Sequence, residues 1–130
     1  MQFAATVVAY VVATLLVQAA SHFVVNTGHY ASVSFMRPGA IGWMGILAAV
    51  IQGAVLAYLY PRMTLPGQGV VRSVGFAWLA GTVLVSYIAL VEPAKYVVPS
   101  IPMWFAIEFG AGLVQFTLFG LLLAFIHRVR

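Results

Sequence analysis

Cysteine is absent from the 130 residues, and acidic side chains number two, Glu92 and Glu108. Without cysteine there is no disulfide, no thiolate nucleophile and no Cys-ligated metal or iron–sulfur centre. Charged residues of both signs make up 6% of the chain and hydrophobic ones 64%, against about 25% and 45–50% in soluble domains. That balance is a membrane protein's. A chain of 130 residues has room for one domain, 1–130, with no soluble catalytic unit beside it. GxSxG, HExxH, a phosphate-binding glycine loop and paired intramembrane carboxylates are all missing, so no motif dictates a reaction and the chain reads as non-enzymatic. Asn26, the sole asparagine, is followed by Thr27 and Gly28; the Asn-x-Ser/Thr glycosylation pattern fails, and the triplet reads as a turn.

What remains is basic. The net charge is +4, from Lys and Arg at 37, 62, 72, 95, 128 and 130. Nucleic acid would require such charges clustered on one face. Their scatter suits loops that orient a membrane protein, so no nucleic-acid partner is expected.

A bilayer core of about 30 Å takes roughly 20 apolar residues of helix. Four segments qualify: 3–25, 41–60, 73–91 and 103–126. The first has no basic n-region and exceeds a signal peptide's apolar core, so it reads as a retained span. The connections "NTGHYASVSFMRPGA", "PRMTLPGQGVVR" and "EPAKYVVPSIP" carry the expected breakers, Pro38-Gly39-Ala40 among them. The fold class is therefore all-α, an integral membrane bundle of four transmembrane helices. Four spans put both termini on the side of the middle loop. Arg62, Arg72, Arg128 and Arg130 fall there, against Arg37 and Lys95 opposite, which predicts N-in/C-in topology by the positive-inside rule. Tyr58, Tyr60, Tyr96 and Trp104 near span ends read as interface anchors.

Helices in lipid associate through close approach at small residues. Gly45, Ala49, Gly53 and Ala57 form a four-membered ridge on the second span. Shorter sets recur at the same spacing: Ala5, Ala9 and Ala13 on the first, Ala77 with Gly81 on the third, and Gly120 with Ala124 and Ala106 with Gly110 on the fourth. The second helix is expected to be the most closely packed, within the bundle or against another chain.

Most polar residues inside the spans fall in the outer half, and the inner halves offer few beyond Thr6, Thr14 and Thr117. At about 1.5 Å per residue, His22 lies roughly 5 Å in, Glu108 and Ser86 about 8 Å, Gln18 about 10 Å, Thr82 about 13 Å, and Gln52 and Gln115 about 16–18 Å. Glu108 and Gln115 are two turns apart on one stripe, with Gly112 between them making room for Gln52. A carboxylate at bilayer depth costs on the order of 2.5–3.5 kcal/mol, so Glu108 should face inward. It is expected either to donate to Gln52 or Ser86 as a neutral acid, or to meet His22, Arg37 or Lys95 from the outer side.

His127 lies a bilayer away from His22 and His29, and those two are two turns apart on a continued helix, too far to chelate one ion unaided. With Met36, Met44 and Met103 on the same side, a soft-metal site using His22, His29 and Met36 is conceivable, for example for Cu(I). Methionine is ordinary packing material, however, so no metal or other cofactor is expected.

The blocks "SHFVV", "IQGAVLAYLYPRM" and "AKYVVPSIPMWFAIEFGAGLVQFTLFGLLLAFIH" resemble a family of small bacterial four-span inner-membrane proteins without an assigned activity. The resemblance implies a four-span fold and a multi-pass place in the bacterial cytoplasmic membrane; it adds nothing on chemistry and carries over no catalytic residue. Lipid, other membrane subunits or a second copy of the chain are the expected partners. The leading functional expectation is a non-catalytic accessory subunit in a homo-oligomer or larger membrane complex. The alternatives are a small transporter or channel with a polar path through Gln18, Gln52, Glu108 and Gln115, or a periplasmic-side metal or redox site at His22 and His29.

Overall fold

A computed structural model describes residues 1–37 and 39–128; Pro38 and Arg130, used above in the loop and charge readings, lie outside the described residues. Every regular element among them is helical. In chain order these are α1 (Gln2–Ala20), α2 (Thr27–Ala31), α3 (Gly42–Leu59), α4 (Gly69–Ser86), α5 (Glu92–Lys95) and α6 (Ile101–Ile126). Four continuous helical stretches, Gln2–Val25, Gly42–Arg62, Gly69–Lys95 and Ile101–Ile126, are long and apolar enough to cross a membrane. The third runs beyond the expected 91, since α5 continues the stretch directly from Tyr87–Val91 with Pro93 inside it. Pro102 opens α6, where a missing N–H costs nothing, behind Ser100, whose hydroxyl accepts from the Met103 N–H.

Two wide π-helical turns interrupt the pattern, Ser21–Val25 after α1 and Tyr87–Val91 after α4. Both lie at the end of the bundle opposite the chain termini, called the loop end below. Such turns are frequent at functional sites.

The helices pack in the order α3, α1, α6, α4. Glycines set the closest approaches. A Cβ on Gly53 would lie 3.2 Å from the Val7 carbonyl oxygen, and one on Gly120 would lie 2.7 Å from the Val74 Cα, so α1 and α3, and α4 and α6, meet nearly backbone to backbone. Tyr10, Ala13, Phe76, Ala77, Phe119 and Leu123 fill the centre. Between α3 and α4, whose lengths do not pack together, runs an apolar groove of about 380 Å³ lined by Ile51, Val55, Leu59, Leu79 and Val83 among others.

The small-residue ridge divides. Ala49, Gly53 and Ala57 are buried, and so are Gly120 and Ala124. Gly45 is exposed with nothing within 4 Å of its would-be Cβ. Residues 41–48 are all exposed, so the start of α3 lies outside the packed part of the bundle. Ala106 is exposed too, and Gly110 meets nothing. Two expected interface anchors are interior instead. Tyr60 is buried and bonded to Ser73 at 2.7 Å, and Trp104 is buried and donates to the Ile88 carbonyl at 3.1 Å.

Candidate functional site

Glu108 sits on the inward face of α6 with 7% of its surface exposed. Its partner comes from a segment that sequence reading treats as loop. After the π-helical turn, the Asn26 N–H bonds the Ser21 carbonyl at 2.8 Å and the Asn26 side-chain amide donates to the Ser21 hydroxyl at 2.9 Å. This bends the chain so that the short helix α2 delivers Tyr30, whose hydroxyl donates to Glu108 Oε1 at 2.7 Å. Burial, then the bond to Glu108, pushes the Tyr30 phenol well above its ordinary ionisation range.

Two histidine rings contact Tyr30. His22 stacks on it with ring centroids 3.7 Å apart and planes 12° from parallel, and His29 meets it edge-on at 5.2 Å. His22 Nδ1 lies 3.0 Å from the Gln18 carbonyl. A carbonyl only accepts, so Nδ1 carries the hydrogen and Nε2 is the nitrogen left for other chemistry.

These groups border a cavity of about 590 Å³ at the loop end, lined by Gln18, His22, Tyr30, Phe35, Met36, Ile88, Glu92, Tyr96, Trp104 and Glu108. The sequence shows no carboxylate pair, yet the fold brings the chain's two acidic residues to one cavity. Glu92 stands at the junction of the second π-helical turn and α5, and the wide turn places the Ile88 carbonyl where Trp104 binds it. Phe35 packs on Tyr96 at 4.9 Å, so the vestibule is walled by aromatic rings and carries acidic groups.

Inward, a smaller cavity of about 170 Å³ shares Gln18, Ile88 and Glu108 with the vestibule and adds Tyr10, Thr14 and Gln115. Gln18 donates to Gln115 Oε1 at 2.8 Å and Gln115 donates to the Thr14 hydroxyl at 3.0 Å, which ties α1 to α6. Below this the way is closed by aromatic packing: Tyr10 lies 5.1 Å from Phe119 and 6.0 Å from Phe116, and all three are buried.

Of the residues expected to meet, Glu108, Gln18, Gln115 and His22 are gathered here. Gln52 is not Glu108's partner. It accepts from Tyr10 at 2.7 Å, and Val85 of α4, not Gln52, occupies the space beside Gly112. Ser86 is exposed and donates to its own helix at the Val83 carbonyl, as serine does when no interhelical partner faces it. Lys95 turns to Tyr87, with 3.5 Å between Nζ and the phenol oxygen. His29 leaves Nε2 buried without a hydrogen-bond partner, and its ring lies 5.7 Å from Trp104. Met36 lines the vestibule beside His22. Among the described residues, no three histidine or carboxylate side chains converge as they would around a metal ion. His127 lies at the far end, 3.2 Å from the Thr6 hydroxyl.

Sequence reasoning missed Tyr30, Glu92 and Tyr10. Glu92 carried a signal, being the only other acid in the chain. Tyr30 carried none, because its place depends on the bend at Asn26. No family model matches the chain, and neither a curated protein nor a solved structure matches it.

Proposed function

We propose that the chain is a non-catalytic multi-pass protein of a bacterial inner membrane, with both termini cytoplasmic, that binds a small organic cation in the vestibule. One observation carries this reading: Glu92 and Glu108, the whole acidic content of the chain, line a single cavity with Tyr30, Phe35, Tyr96 and Trp104. A cation over aromatic faces gains about 0.5–2 kcal/mol, more as water is excluded, and a carboxylate supplies the counter-charge. Glu108 accepts from Tyr30 through one oxygen and retains acceptor capacity for a ligand. The layer of Tyr10, Phe116 and Phe119 supports binding from one side over conduction by a single chain.

The test is titration of the purified full chain with a panel of alkyl- and arylammonium ions, followed by tryptophan fluorescence. Saturable binding is expected, weakened about tenfold, or about 1.4 kcal/mol, by Glu108→Gln or Glu92→Gln. Equal binding of a neutral isostere, or no saturable binding across the panel, overturns the proposal.

A second reading, an accessory subunit that packs with itself or a larger membrane complex, is favoured by the bare first half of α3, where Gly45 stands among exposed Trp43, Met44, Ile46 and Leu47. Small residues on an unpartnered apolar face allow close helix approach. Mass measurement after gentle extraction tests it, and a strictly monomeric particle without protein partners removes it.

A further inference from the structure

The end of the bundle that carries the chain termini holds a second polar cavity, of about 490 Å³, which the vestibule reading leaves unused. It forms where the tight turn Tyr60–Arg62 leaves α3 and residues 63–68 lead into α4, with Gln2 and His127 closing it. Arg62, Arg72 and Arg128 all line it. Arg72 is fixed in place: Nη2 donates to the carbonyls of Tyr60 at 3.2 Å and Met63 at 3.1 Å, and the guanidinium lies 4.8 Å from the Tyr60 ring. Those bonds occupy one nitrogen of a fork with five N–H donors. Arg62 is held likewise by Tyr58, through its carbonyl at 2.8 Å and its ring at 3.8 Å. No acidic side chain is available here, since both line the vestibule at the other end. Among the described residues no carboxylate lines this cavity, and arginines gathered there repel each other, a repulsion that an anion relieves. The planar fork fits phosphate oxygens best.

Met63 belongs to this cavity and also to the apolar groove between α3 and α4. The charged chamber therefore adjoins, across Met63, an apolar slot lined by Val55, Leu59, Leu79 and Val83. One class of molecule has both parts. We propose that an anionic phospholipid binds here, its phosphodiester headgroup against Arg62 and Arg72 and one acyl chain along the α3–α4 groove. Basic pockets between helices at a cytoplasmic surface hold such headgroups. The inference rests on the membrane reading of the chain and is independent of the cation vestibule.

The full chain is reconstituted in phosphatidylcholine vesicles, its insertion is checked by flotation, and lipid retention is then measured by native mass spectrometry with phosphatidylglycerol added. One phosphatidylglycerol should remain on the chain in preference to phosphatidylcholine. Arg62→Gln and Arg72→Gln should each weaken retention about fivefold, as expected for one arginine near an anionic headgroup. Val55→Trp, at an exposed groove position, should reduce retention with both arginines intact. Because Arg72 also ties the turn to α4, Arg62→Gln is the decisive charge variant. Equal retention of both lipids, or indifference to Arg62→Gln and Val55→Trp, overturns the site. Competition by soluble glycerol phosphate as strong as by phosphatidylglycerol shows a free-anion site and overturns the lipid assignment. A chain that does not float with the vesicles overturns the membrane reading and this inference together, whereas a chain that floats without lipid preference overturns this inference alone.

Discussion

Tyr30 and Glu108 stand 78 positions apart in the chain and share a 2.7 Å hydrogen bond, the phenol donating to the carboxyl oxygen. This bond fastens a five-residue helix onto a 26-residue one. Glu108→Gln keeps an acceptor for the phenol and should change thermal stability by less than about 1 kcal/mol. Glu108→Leu leaves the Tyr30 hydroxyl without its partner and should lose about 1–2 kcal/mol. Unfolding of both variants in one detergent checks this. A Glu108→Leu protein as stable as the parent would mean that the bond holds nothing together.

The raised ionisation of Tyr30 has a definite sign. Its folded value lies above the ordinary 10.0, so the stability linked to it is fully present below pH 10 and falls as the pH climbs toward the folded value, because the unfolded chain ionises first. A spectrophotometric titration of the phenols should therefore lose a late-ionising component in Tyr30→Phe. The same variant should also lose part of the parent's fall in stability above pH 10. Identical titration curves would contradict the burial of that hydroxyl.

Gly53 and Gly45 lie on the same helix and should respond oppositely. Gly53→Leu forces a side chain toward the Val7 carbonyl and the Tyr10 ring; overpacking of this kind costs about 1–3 kcal/mol. Gly45→Leu enters open space and should leave the stability of the single chain within about 0.5 kcal/mol. Denaturation of the two variants side by side decides it. A stable Gly53→Leu chain would mean that α1 and α3 do not meet there. Loss of assembly without loss of stability in Gly45→Leu would speak for packing between chains.

Orientation is expected to be N-in/C-in, since Arg62, Arg72 and Arg128 line one cavity at one end of the bundle, against Arg37 and Lys95 in the other two connections. Fusions of a cytoplasm-active and a periplasm-active reporter to the C-terminus test it. Activity of the periplasmic reporter alone would reverse the assignment and place the basic cavity on the outer face.

The four long helices were legible because their signal is local. In a bilayer, twenty apolar residues between Pro- and Gly-rich breakers must satisfy their backbone hydrogen bonds within the segment and so form a helix, and Gly53 and Gly120 lie where small-residue spacing places close contacts. Helix rotation was not legible. Helices apolar on nearly every face carry almost no preferred direction, so nothing local distinguishes an inward Gln52 meeting Tyr10 from one meeting Glu108, or a buried Ala49 from an exposed Gly45. The tertiary structure decided those pairings through the rotation of α3 that sets Gly53 against Val7 and Tyr10. It also set the two π-helical turns, which shift the phase of the residues beyond them and bring Tyr30, from a segment of loop composition, and Glu92, from the end of the third span, to the cavity of Glu108.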